Sequence, residues 1–127
     1  MLFIAFTVSS CARKIAFQTS SIVPAAEGYV KVKKDKNKNY HVDLSVIRLA
    51  EPSRLDPPKK YYIVWMNAEQ HGTKEVGQLI TSGSLLSKTM KSSLKTFVPF
   101  QPTSFFITAE YDADVHNPFG QVVLRTN

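Results

Sequence analysis

Two runs of the chain alternate apolar and polar residues with a period of two. Val30 and Val32 alternate with Lys31 and Lys33, and Tyr40, Val42, Leu44 and Val46 alternate with His41, Asp43 and Ser45. That period gives a strand one apolar and one polar face. Between the runs, Lys34-Asp35-Lys36-Asn37-Lys38-Asn39 contains no apolar residue. Its Asp and Asn side chains bond nearby backbone and so favour turns. Together the three segments predict a β-hairpin. After Val46 the apolar phase slips to Ile47 and Leu49. A one-residue slip turns a strand's faces over, so a bulge or the strand's end is expected there.

Residues 50–58 hold three prolines and read as a crossing loop rather than regular structure. Tyr61-Tyr62-Ile63-Val64-Trp65-Met66 is apolar at consecutive positions and rich in β-branched and aromatic residues. This is the pattern of a central strand covered on both faces. Further strands are expected at residues 74–80, 87–91, 96–98, 104–110 and 121–125, and no segment offers an amphipathic helix over three turns. Short strands broken by Gly, Pro and Asn predict an all-β sandwich or barrel. Its core is expected to contain Val30, Val32, Val42, Leu44, Val64, Trp65, Leu79, Ile107 and Val122, with one hydrogen-bond partner for the Trp65 indole. Tyr61 and Tyr62 must face opposite sides of their sheet, leaving one ring able to stack on a sugar or a partner protein.

Met1-Leu-Phe-Ile-Ala-Phe-Thr-Val8 is uncharged and almost wholly apolar, too short to span a bilayer as a helix but long enough for the apolar core of a secretory signal. Val8-Ser9-Ser10-Cys11 resembles a bacterial lipobox. That resemblance implies diacylglycerol on Cys11 and cleavage before it. The organisation expected is a lipoprotein signal peptide at 1–10, a lipidated N-terminus and tether at 11–24 with a short strand near Ile15-Ala16-Phe17, and a β-sandwich domain at 25–127. The alternative is a first strand with an inert, buried thiol, since free cysteines are commonly buried.

The 127 residues suffice for one domain with a core of its own. Cys11 is the only cysteine, which excludes an intramolecular disulfide, a cysteine-based zinc site and a CxxC redox motif. A net charge of +6 would suit a nucleic-acid partner in the cytosol. With Cys11 as a lipid anchor, nucleic acid falls away and the location becomes the bacterial envelope, facing the periplasm or the cell surface.

Tyr62-Ile63-Val64-Trp65, Gly77-Gln78-Leu79, Phe106-Ile107-Thr108-Ala109-Glu110, Asn117-Pro118 and Gly120-Gln121-Val122-Val123-Leu124 follow one another in an order that resembles the extracytoplasmic domain of anti-sigma-K factors. The resemblance spans about residues 61–124. It implies an immunoglobulin-like antiparallel β-sandwich of about seven to eight strands, outside the cytoplasm. It does not carry sigma-factor control with it, because the chain has no room for a cytoplasmic sigma-gripping domain.

Lys31, Lys33, Lys34, Lys36 and Lys38 form the most charged feature and suit anionic envelope material such as lipopolysaccharide phosphates or an acidic glycan. Lysines of this kind also keep a hairpin soluble and protect a sheet edge from pairing. In the loops, Arg54, Asp112 and Asp114 are candidate contacts for an envelope protein. Glu110, Asp112, Asp114 and Asn117 lack the glycine and terminal glutamate of an EF-hand loop, so a solvated loop is expected rather than a metal site. His41, His71 and His116 are scattered, and no HExxH motif or nucleophile elbow accompanies them. The expected function is therefore a lipid-anchored, non-enzymatic binding module without cofactor. A sensory module like the anti-sigma outer domain is the alternative, and an enzyme acting on envelope carbohydrate or peptide the more distant one.

Overall fold

Val30, Val32, Val42, Leu44 and Val46 are all buried, and the two strands that carry them form the predicted hairpin. In this computed structural model the described residues are 12–82 and 91–126, without the side chains of residues 81 and 82. Cys11 and the preceding residues lie outside them, as does most of the strand expected at 87–91.

The described residues form nine strands: β1 (Arg13–Ala16), β2 (Glu27–Lys34), β3 (Tyr40–Ile47), β4 (Tyr61–Ala68), β5 (Gly72–Gln78), β6 (Ile80–Ser82), β7 (Lys91–Val98), β8 (Pro102–Glu110) and β9 (Val122–Arg125). One sheet has the order β1-β2-β3-β7-β6 and the other β5-β4-β8-β9, and the pairings are antiparallel. Apart from β1, these orders are the A-B-E-D and G-F-C-C′ orders of an immunoglobulin-like sandwich. The expected fold class is the observed one.

Three expectations about elements need correction. The single strand expected at 74–80 is two: the chain leaves the four-stranded sheet after Gln78, buries Leu79, and enters the five-stranded sheet at Ile80. The strand expected at 96–98 extends back to Lys91, with Ser92 fully buried on its inner face. In β9, a register shift opposite Ile107/Thr108 pairs Val122 with Thr108 and Leu124 with Ile107. The bulge buries Val123 and Leu124 and leaves Val122 half-buried, so Val122 is not a core residue.

The phase slip after Val46 is the strand's end. Ile47 closes β3, Arg48 takes the left-handed region with φ 57°, and Leu49 is buried. The proline-rich crossing that follows holds one turn of 3-10 helix, Pro52–Arg54. At the other end of the chain, the short strand expected near Ile15 is β1, and residues 12–24 also place Val23 in the core. The Ser20 hydroxyl accepts from the N–H groups of Ile22 and Val23, which turns the chain there. A bridge between Phe17 and Thr126 ties β1 to the end of β9, so β1 links the two sheets along one side. The crossing at Leu79 links them along the other.

Between the sheets, Val30, Leu44, Val46, Val64, Phe105 and Ile107 are among the side chains of the main core. Each such burial contributes roughly 1.5–3 kcal/mol against leaving the side chain in water. Trp65 is not in this core. It faces outward from the four-stranded sheet with Ile63, and both are fully buried because Val115 and the half-buried Tyr61 and Phe106 pack against them. The expectation of a β4 covered on both faces holds, and the outer cover comes in part from the β8–β9 loop. Trp65 Nε1 donates to Thr108 Oγ1 at 2.8 Å, the partner a buried indole requires.

Candidate interaction surfaces

The strand directions sort the loops into two ends. Lys34 pairs with Tyr40, and Tyr40 with Val98, so the β2–β3 tip and the β7–β8 turn share one end. Ala68 pairs with both Gly72 and Pro102, which adds the β4–β5 turn. At the other end Tyr61 pairs with Glu110, which brings the β3–β4 and β8–β9 loops together. We call the first the hairpin end and the second the loop end.

At the loop end the backbone of Lys60 donates to the carbonyl of Glu110 at 3.0 Å, and Lys59 Nζ sits 4.4 Å from the centre of the Tyr111 ring. Arg54, Asp112 and Asp114 are exposed here on the two loops. Glu110, by contrast, is buried, and both its carboxylate oxygens accept from the Gly120 N–H at 2.9 Å. A side chain on residue 120 would run into the Ala109 carbonyl oxygen, so the close approach that lets the loop fold back over Trp65 requires glycine. Glu110 is thereby removed from the carboxylate group considered for calcium. Among the described residues no group of three His, Cys, Asp or Glu side chains could hold a metal ion.

Tyr62 anchors the start of the crossing loop. Its hydroxyl donates to the Ala50 carbonyl at 2.6 Å, and burial raises its pKa from 10.0 to about 12. Tyr61, the half-buried outward-facing ring of the pair, packs against the Trp65 cluster.

The hairpin end is basic. Lys31 and Lys33 point outward from the five-stranded sheet, and Lys34, Lys36 and Lys38 are exposed around the tip. Asp35 shapes that tip: its Oδ1 accepts from the N–H groups of Asn37 at 2.8 Å and Asn39 at 3.0 Å, while Oδ2 lies 2.9 Å from His41 Nε2. The backbone N–H of Asn39, with smaller help from His41, holds the Asp35 carboxyl below its ordinary range. The Asp35 carboxylate is engaged by backbone and His41, and the surrounding lysines stand out in solvent.

Edge protection does not account for Lys31, because from Tyr29 to Val32 β2 is flanked by both β1 and β3. The β1 pairing ends at Val32, so among the described residues edge protection still applies to Lys33. β1 also brings cations that sequence spacing does not connect with the hairpin: Lys14 pairs opposite Lys31 and Arg13 opposite Val32. Lys14 Nζ lies 4.2 Å from the centre of the Tyr29 ring, and Lys31 Nζ lies 5.5 Å from it. In the next row along this face, Lys33, His41 and Phe97 are cross-strand neighbours, and Phe97 is 64% exposed.

The remaining candidates are dispersed. His71 stacks on Phe100 with centroids 3.8 Å apart at the hairpin end, while His116 is exposed in the β8–β9 loop. A shallow cleft of about 380 Å³ lies beside that loop, lined by Asn67, Ser104, Phe106, Pro118 and Arg125 among others. Among the described residues no helix is long and apolar enough to cross a membrane. No protein family, curated protein or solved structure matches the chain.

Proposed function

We propose that this chain is a lipid-anchored, non-enzymatic binding module of the bacterial cell envelope, attached through Cys11 and making its contacts at the loop end. The observation that carries this reading is the polarity of the sandwich. Arg13, two residues after the lipobox-like Val8-Ser9-Ser10-Cys11, opens β1 at the hairpin end, whereas the loops bearing Arg54, Asp112 and Asp114 meet at the opposite end. A sandwich held at one end presents the loops of the other to partners, the usual use of loops carried on a rigid scaffold. An envelope protein is the partner class proposed for these loops, since the exposed Asp112 and Asp114 carboxylates would repel an acidic glycan.

Fractionation in the native host tests the anchor, with wild type expected in membranes and Cys11→Ala uncleaved or mislocalised. Identical soluble behaviour of the two would contradict it. Hydrolysis of an envelope polymer by the purified protein would contradict the non-enzymatic part.

A second reading is a sensory or regulatory module like the outer domain of anti-sigma-K factors. Favouring it, the segments that carry the resemblance lie mainly on β4, β5, β8 and β9, and two of their residues, Glu110 and Gly120, form the joint beneath the β8–β9 loop. Substitution of Asp112 and Asp114 would then change an envelope-stress transcriptional response, and an unchanged response would set this reading aside.

A further inference from the structure

We infer that the hairpin end is a membrane-docking surface that lies against anionic phospholipid headgroups. Its geometry rests on the anchored reading above, because the membrane lies at this end only if the lipid is on Cys11. Arg13, Lys14, Lys33, Lys34, Lys36 and Lys38 are all exposed and come together here from two segments, β1 and the β2–β3 tip. The pairing of Arg13 with Val32 sets the chain's entry into the fold beside the lysine tip, so the first described residue, Ala12, precedes β1 at the same end. A lipid one peptide bond before Ala12 would bring these cations within reach of headgroup charge, which is felt over about 8 Å at physiological ionic strength.

The carboxylates near this end offset only part of this charge. Asp35, held by two backbone N–H groups and His41, and Glu69, which lines one surface pocket with Arg13, stand against six cations; Asp43 is farther along the sheet, between Lys31 and Lys95. Phe97 adds an exposed ring beside His41 in the row that contains Lys33. An exposed apolar ring at a basic face can bury itself in the headgroup and acyl boundary. Diacylglycerol on Cys11 carries two acyl chains, which anchor stably by themselves, so the basic patch would set how the sandwich lies on the membrane surface.

The test uses the full chain carrying Cys11→Ala, so that partition is read without the lipid. Vesicles of phosphatidylcholine alone are compared with vesicles in which roughly a third of the lipid is phosphatidylglycerol, enough anionic surface to attract a polybasic segment. Each basic residue near such a surface is worth roughly fivefold in partition, so Lys33→Gln/Lys36→Gln/Lys38→Gln should bind the anionic vesicles on the order of a hundredfold more weakly. Lys59→Gln/Lys60→Gln/Lys91→Gln removes equal charge at the loop end and should change binding less than about threefold, below the effect of one such contact. Raised salt should abolish the difference between the two triple variants. Equal losses in both, no preference for anionic vesicles, or lysine-dependent binding to a soluble acidic polysaccharide but not to vesicles would overturn the inference. Mass analysis of Cys11 in the wild type separates the two claims: lysine-dependent vesicle binding with an unmodified Cys11 upholds the surface and sinks the anchor.

Discussion

Trp65 shows how a single residue can be buried as expected and yet work in an unexpected place. It is held outside the main core by Val115 and satisfied by Thr108, so its loss should act on the β8–β9 loop as well as on stability. Trp65→Ala should cost about 3–5 kcal/mol, the range for large aromatic truncations. Trp65→Phe should still cost about 1–3 kcal/mol, because it leaves the buried Thr108 hydroxyl without its donor. Denaturant titration checks both, and a Trp65→Phe protein as stable as the parent would show that the indole bond contributes nothing. Tyr62 gives a pH signature. Its pKa is raised in the folded state, so the native protein holds its proton more tightly than the unfolded chain does. The stabilisation is complete below pH 10 and is lost as pH rises through about 12. In Tyr62→Phe the alkaline fall in Tm across that window should be shallower, at a cost of about 1 kcal/mol at neutral pH for the lost bond to Ala50.

At the scale of elements, the β2–β3 tip depends on Asp35. Asp35→Ala should raise amide exchange at Asn37 and Asn39 and leave the core amides unchanged. The wild-type tip should loosen in acid by the same mechanism. The Asp35 pKa is lowered, so its contribution is whole above the ordinary value of 3.8 and disappears as pH falls through the lower native value. In the β8–β9 joint, Gly120→Ala should destabilise by about 1–3 kcal/mol, the usual cost of forcing atoms into a closed site; a neutral effect in thermal unfolding would show that the backbone yields there. Strands are legible in the sequence where apolar residues alternate, as in β2 and β3, or run together, as in β4. β7 is only partly legible because Ser92 and Thr96 sit opposite Val46 and Val42 on its inward side and dilute the pattern. The division of 74–80 is hidden because Val76, Leu79 and Ile80 look like one apolar stretch until the chain changes sheets.

The whole molecule has two ends of different charge. The lysine run is visible in sequence, but its union with Arg13 and Lys14 depends on the antiparallel pairing of β1 with β2, which no spacing encodes. The same holds for the loops bearing Arg54, Asp112 and Asp114, which the pairing of Tyr61 with Glu110 brings to the opposite end. The central claim is that the sandwich is held by lipid at its hairpin end. The most direct measurement is the mass of the N-terminal peptide of the protein recovered from its host's membranes. The account predicts a peptide that begins at Cys11 and carries diacylglycerol. A peptide that retains residues 1–10, or an unmodified Cys11 in protein recovered from the soluble fraction, would contradict it.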